Sequence, residues 1–294
     1  MGNIATRVED QIAQLAARGM ELDLPSEKIK EILLDIGYYR LGFYWYPFEI
    51  DSNHNFREGT KFSDIVELYY LDVDLRYLLL KYINRIEISF RTKVVYYVSN
   101  KYRLSPTWFV DPKVMDKEFI KEFDKYYNAD FKKDNYPIKN HHQKYINDRY
   151  APAWKTLEFF TFGSILKIFK SLNDENIKQR ISGLYVVKNL DKFTNIFNTI
   201  VFARNCCAHG TVIFDLKATY GIAKVPGIQF NNNNRHSLDT VIKVTNYILS
   251  SVSENRAKEM STALENLFNY YKGNETIKNL IESKIGYVYA EPSK

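Results

Sequence analysis

The sequence predicts an all-α protein, a helical bundle carrying a small N-terminal helical appendage. Apolar residues recur at helical spacing through most of the chain. From Ser63 to about Tyr102 neither Gly nor Pro interrupts them. No internal repeat of about 20–50 residues points to a solenoid instead. The chain divides at residue 57, with 1–57 as the appendage with its aromatic segment and 58–294 as the main helical domain.

Residues 3–19 and 26–36 read as two short amphipathic helices; Pro25 stops what precedes the second, Ser26 is placed to cap it and Gly37 ends it. The aromatic run 38–48, closed by Pro47, reads as an irregular packed connection. From Ser63 onward Ile65, Leu68, Tyr69, Leu75, Leu78, Leu79, Tyr82, Ile83, Ile86, Phe90 and Val94 mark one long core helix, or two nearly collinear ones. After Pro106 and Pro112, residues 116–128 form a shorter polar helix. It leads into a basic stretch, Lys132 to Lys144, read as a solvated loop whose Lys139, His141 and His142 brush RNA phosphates. Adjacent histidines point apart on most backbones and no carboxylate pattern joins these two, so no metal is assigned to them.

Residues 153–172 and 174–182 are helical, with Gly163 admitting a close helix contact, and Trp45 and Trp154 read as core anchors. Residues 188–209 form a helix whose Leu190, Phe193, Ile196, Phe197, Ile200 and Val201 make a continuous core stripe. The stretch 211–230 holds two β-prone pieces, VIFDL and GIQF, and is expected to fold as a short hairpin. Asn231 to Asn234 is a polar connection, followed by helices over 238–252, 255–271 and 275–285.

Composition bounds the function. With 294 residues, 45% of them hydrophobic, there is ample material for one large or two small cores. The 41 Lys and Arg against 35 Asp and Glu give +6, the sign a polyanion partner requires. The 23 tyrosines can stack on bases or fill the core and leave a polar tip wet. No secretory apolar region is readable, and no run approaches the roughly 20 apolar residues of a membrane span. A cytoplasmic protein without membrane contact is therefore expected. Cys206 and Cys207, the only cysteines, are adjacent and are expected as reduced, packed thiols. Paired Cys or His spacings for zinc, a phosphate-cradling Gly-rich loop, a nucleophile elbow and a spaced acidic cluster for two metals are all missing. Any catalysis is expected to need neither metal nor cofactor.

The most informative stretch is Arg204-Asn205-Cys206-Cys207-Ala208-His209, followed by Gly210. It sets a phosphate-binding cation, an amide and a proton-transfer group on the last turns of one helix. At about 100° per residue Asn205 and His209 share a face, so the amide can reach the imidazole and fix its tautomer. Arg204 stands roughly 140° from His209. The two converge on one phosphate through Arg204's reach, or two such helices meet across a dimer. Gly210 suits the left-handed residue past a helix end, where the dipole favours imidazolium. The plainer account is that Arg and His near a helix C-terminus simply cap its free carbonyls.

Arg-Asn-x-x-Ala-His ending an internal helix resembles the motif of HEPN-superfamily ribonucleases, an Arg followed within four to six residues by His. Three further blocks resemble the Abi-like branch of abortive-infection proteins. They are IGYYRLGFYWYPF at Ile36–Phe48, Asp74-Leu-Arg76 running on to Arg85-Ile-Glu87, and WKTLEFFTFG from Trp154 to Gly163. Together the blocks span about residues 25 to 270. The resemblance implies a HEPN-type bundle, a homodimer that pairs two motifs in one cleft, and metal-independent RNA cleavage by 2′-hydroxyl attack. Arg204 would stabilise the phosphorane, His209 would act as general acid or base, and Asn205 would orient it or bind phosphate. Arg40, Arg76, Arg85 and Glu87 either line the RNA path or form buried ion pairs between helices. The competing readings are a non-catalytic protein that holds a small non-coding or antitoxin RNA, and a helical dimer that binds only protein.

Overall fold

In the computed structural model, which describes residues 4–290, the chain opens with α1 (Val8–Ala17) and α2 (Ser26–Ile32). Residue 3 of the first expected helix lies outside the described residues. A wide π turn, Leu33–Gly37, ends α2, and Gly37 at φ 94° redirects the backbone. The aromatic run is not irregular: it folds as α3 (Tyr38–Trp45), followed by a 3-10 turn at Tyr46–Phe48. Leu41, Tyr44 and Trp45 are spaced to bury one face, and that packing carries a segment whose aromatic residues have only modest helix propensity.

The long apolar stripe forms one helix, α4 (Phe62–Lys101), 40 residues long and so about 60 Å from end to end. Beyond it come α5 (Lys117–Glu122), capped by Asp116, then α6 (Ala129–Asp134) and α7 (Tyr136–Lys144). The basic stretch read as a loop is thus largely helical. Asn128 caps α6, and Pro137 occupies the first turn of α7, where a missing N–H costs nothing. The helix expected over 153–172 breaks into α8 (Ala153–Thr156) and α9 (Phe162–Lys170), the second capped by Thr161. Trp45 is buried, but Trp154 is 54% exposed, because single-turn α8 turns Ala153 and Thr156 inward instead.

Next come α10 (Glu175–Gly183), capped by Asp174, and α11 (Leu190–Ala208), capped by Asn189. The chain ends with α12 (Leu238–Val252), α13 (Glu254–Tyr270), α14 (Glu275–Leu280) and a π turn at Ile281–Ile285. Among the described residues there is no sheet, only isolated bridges, and the hairpin expected over 211–230 does not form. Its first β-prone piece spends its backbone donors elsewhere. The N–H groups of Ile213 and Phe214 both donate to the Asp72 carboxylate on α4, at 2.8 and 2.7 Å, while both side chains enter the core.

Helix α4 is the spine, packed against α3, α8, α9, α10, α11, α12, α13 and α14. Against its middle sits an aromatic cluster in which Phe90 meets Phe162, Phe169, Tyr185, Phe193 and Phe197. A Cβ on Gly163 would stand 3.5 Å from Val201, an ordinary contact, so α9 lies against α11 here but its approach does not require the glycine. These contacts fix the axial position and rotation of α11, and with them everything at its C-terminal end.

Candidate active site

Helix α11 brings Arg204, Asn205 and His209 to its C-terminal end. Asn205 and His209 are exposed and Arg204 is half-buried, while Cys206 and Cys207 between them point inward as free, buried thiols. Burial pushes both thiols up, Cys207 to about 12, so neither supplies a thiolate. His209 is the C-cap, and its N–H donates to the Asn205 carbonyl at 3.0 Å. Gly210 follows at φ 68°, its N–H directed at the Cys207 carbonyl, and the Thr211 N–H donates to the Cys206 carbonyl at 3.0 Å. This pair of bonds is the Schellman ending that a left-handed glycine permits.

The amide does not hold the imidazole. Asn205 Oδ1 accepts from Arg204 Nη1 at 3.3 Å, and among the described residues no hydrogen bond joins Asn205 to the His209 ring. Sharing a helix face is not enough to join the two side chains, because the guanidinium next door is the stronger donor.

Arg204 is aimed by a buried carboxylate. Its Nε donates to Glu87 Oε2 at 3.1 Å, while Glu87 Oε1 accepts from Arg91 Nη2 at 3.1 Å. Glu87 therefore divides one negative charge between two guanidiniums. Arg91 also donates to the Phe160 carbonyl at 3.0 Å and pairs with the exposed Glu158, tying α4 and α11 to the link between α8 and α9. With Nε and one Nη1 hydrogen engaged, three of the five N–H donors of Arg204 remain for a ligand, enough for a bidentate grip on a phosphate through the terminal edge.

Two further arginines reach the same helix end. Arg40 Nη2 on α3 donates to the Gly210 carbonyl at 2.7 Å and to the Tyr44 hydroxyl at 3.1 Å. Among the described residues it has no carboxylate partner, so its charge is not neutralised locally. Arg76 Nη1 on α4 lies 3.3 Å from where a Cβ on Gly210 would stand, and its Nε pairs with Asp72 at 3.1 Å. Asp72 is wholly buried and takes four donors: Tyr44, Arg76 and the N–H groups of Ile213 and Phe214. Burial pushes its carboxyl above the usual range, against the downward pull of those donors. Burial, with the nearby Asp72 charge, also raises the Tyr44 hydroxyl and keeps it a donor.

The sequence-chosen residues thus separate into two groups. Arg40, Arg76, Glu87, Arg204, Asn205 and His209 converge at the end of α11 or support it. Arg85 is exposed on α4 and Lys139 exposed on α7, and neither has an ion-pair or hydrogen-bond partner among the described side chains. His141 and His142 hold α7 in place instead of lying in a solvated loop. His141 is buried against Asp148 at 3.0 Å, and His142 meets the Tyr127 hydroxyl at 2.8 Å. Burial lowers the pKa of His142, with the charges of Lys132 and His141 adding to it, so its ring is neutral at pH 7 and offers a phosphate no charge. Asp72, Tyr44 and Arg91 escape a reading by motif. The one signal for Asp72 is a carboxylate standing inside the apolar stripe of Leu68, Leu75 and Leu79, where only a partnered acid is tolerated.

The fold and this site define a helical protein with a cationic, histidine-bearing helix end. The family model described as Abi-like protein matches residues 31–215, which takes in α3, α4 and the whole of α11, and the chain belongs to that family. The family points to abortive-infection defence. No curated protein and no solved structure matches the chain.

Proposed function

We propose that the protein is a metal-independent endoribonuclease of the HEPN type acting in abortive infection, with its active site at the C-terminal end of α11. The observation that carries this reading is an exposed His209 at the end of the same helix that carries Arg204, whose guanidinium is aimed by buried Glu87. A general acid or base must be reachable by substrate, and an oxyanion-binding cation gains most when it is held rigidly beforehand.

RNA supplies its own nucleophile. The 2′-oxygen attacks the adjacent phosphorus and the bond to the 5′-oxygen breaks, leaving a 2′,3′-cyclic phosphate and a 5′-hydroxyl. Arg204 holds the non-bridging oxygens as charge builds on them, with the Arg40 and Arg76 field behind it. One proton leaves the 2′-hydroxyl and another must reach the departing 5′-oxygen. A single helix end offers one histidine, so a homodimer with two α11 ends facing across a two-fold axis supplies the pair.

Purified protein assayed on RNA with EDTA present tests the reading. His209→Ala should lower the rate by roughly 10²–10⁴-fold with RNA affinity kept. Arg204→Lys, which retains charge but not the fork, should depress turnover far more than binding. Equal cleavage by wild type and His209→Ala would refute the assignment. Wild type that leaves RNA uncut while retaining a discrete bound species would favour the RNA-holding reading.

A further inference from the structure

Helix α3 presents two i,i+4 pairs side by side. Arg40 and Tyr44 turn toward the Gly210 carbonyl and Asp72. One residue earlier, about 100° around the axis, Tyr39 and Phe43 turn to solvent. Tyr39 is 81% exposed, as several tyrosines of the chain are, and what sets it apart is its place on α3 one residue from Arg40. It is not loose: its ring meets Phe43 edge-on, with centroids 5.3 Å apart and planes at 78°. Phe43 in turn has the Arg40 guanidinium carbon 6.0 Å from its centroid. A single guanidinium therefore touches both the backbone immediately after His209 and the ring that props Tyr39.

We propose that Tyr39, held upright by Phe43, is a base-stacking platform for an unpaired nucleotide of RNA whose neighbouring phosphate lies at Arg40 and Arg204. The inference rests on the end of α11 being an RNA-phosphate site, and it deepens that reading by naming the substrate class as single-stranded. An open aromatic face next to several cations is the combination that binds single strands without reading sequence, because every base has a π face and every linkage a charge. A duplex keeps its bases stacked on each other and offers the ring nothing.

The test uses a 2′-O-methyl RNA single strand carrying 2-aminopurine at one position, and its blunt duplex. Lacking the 2′-hydroxyl nucleophile, the strand can be bound by the active protein without being cut. Wild type and Tyr39→Phe should quench the fluorescent base and bind the single strand alike. Tyr39→Leu, apolar but without a π face, should relieve the quenching and weaken single-strand binding by about fivefold to a hundredfold. The dependence on salt should be unchanged, because no charge was removed, and the duplex should bind weakly and equally to all three proteins. Equal single-strand binding by Tyr39→Leu and Tyr39→Phe would overturn the platform. So would a Tyr39→Leu protein that loses only its self-association in ultracentrifugation, because the ring would then face a second copy. Wild type that cuts no natural RNA, with the Tyr39→Leu loss intact, would leave the platform standing and remove the nuclease reading alone.

Discussion

Replacing Asp72 by alanine should be among the most damaging single changes outside the exposed site. The carboxylate receives Tyr44 at 2.9 Å, Arg76 at 3.1 Å and the N–H groups of Ile213 and Phe214 at 2.8 and 2.7 Å, all with no access to water at the acid itself. Each buried donor left unpaired costs about 1–3 kcal/mol. Removing one partner of a buried ion pair costs about 3–5 kcal/mol. The four donors share one acceptor group, so the losses overlap and about 3–5 kcal/mol is expected in all, a fall in Tm of roughly 5–8 °C for a chain of this length. Asp72→Asn should be the milder of the two, at about 1–3 kcal/mol. Its carbonyl still serves the two backbone donors and it removes a charge that burial disfavours, but its amide NH2 cannot accept from Tyr44 and Arg76 as Oδ2 does. The sign is set by the raised pKa: the folded chain holds that proton more tightly than the unfolded one, so ionisation of Asp72 lowers stability as pH rises from about 3.9 to the folded value. Urea and thermal unfolding of the three proteins decide the matter. An alanine variant within about 1 kcal/mol of wild type, or an asparagine variant as damaged as alanine, would refute the argument.

Two further outcomes rest on the same neighbourhood. Gly210→Ala should destabilise by about 1–2 kcal/mol in urea titration, because φ is 68° and the added Cβ would meet Arg76 Nη1 at 3.3 Å; a variant as stable as wild type would show that this turn is not held. Burial tends to raise the pKa of Asp215, but hydrogen bonds from Tyr46, Lys217 and Lys284 outweigh it and lower it. Its contribution is therefore present above the unfolded value of about 3.9 and lost as pH falls through the lower folded value. The stability gap between wild type and Asp215→Asn should close on acidification, and a gap constant from neutral pH down to about 3 would count against the ion cluster.

The elements most legible in the sequence are those governed by local period and punctuation. Helix α4 is readable because nothing from Ser63 to Tyr102 breaks its apolar spacing, and α11 because Phe193, Ile196, Phe197 and Ile200 recur on one stripe and Gly210 stops it. The hidden elements depend on distant partners. Helix α3 looks irregular in sequence because Tyr, Phe and Trp are indifferent helix formers, and it is the packing of Leu41, Tyr44 and Trp45 that decides. VIFDL reads as strand because its propensity is genuine, yet Asp72, far away in sequence, captures the backbone donors a ladder would need. Helix α7 does carry a signal in Pro137 at its first turn, outweighed by the polarity of the run from Lys139 to Lys144. At the site, the placement of Arg204 and His209 at the end of one helix is legible, but a tautomer-fixing role for Asn205 assumes that a shared face means contact.

Three bonds that hold the helix end in place are long in sequence: Arg40 to Gly210 spans 170 residues, Asp72 to Phe214 spans 142 and Glu87 to Arg204 spans 117. At a synthesis rate of about 5–20 residues per second, Gly210 leaves the ribosome roughly 10–30 s after Arg40. During that interval α3 and the first half of α4 exist without the helix they will hold, so the growing chain has cationic patches but no assembled site. For a protein proposed to cut RNA, this delay is a form of safety. The chain is born attached to the largest RNA in the cell, and nothing translated before α11 can complete the centre. On the proposed function, a chain terminated before Arg204 would be inert for the same reason.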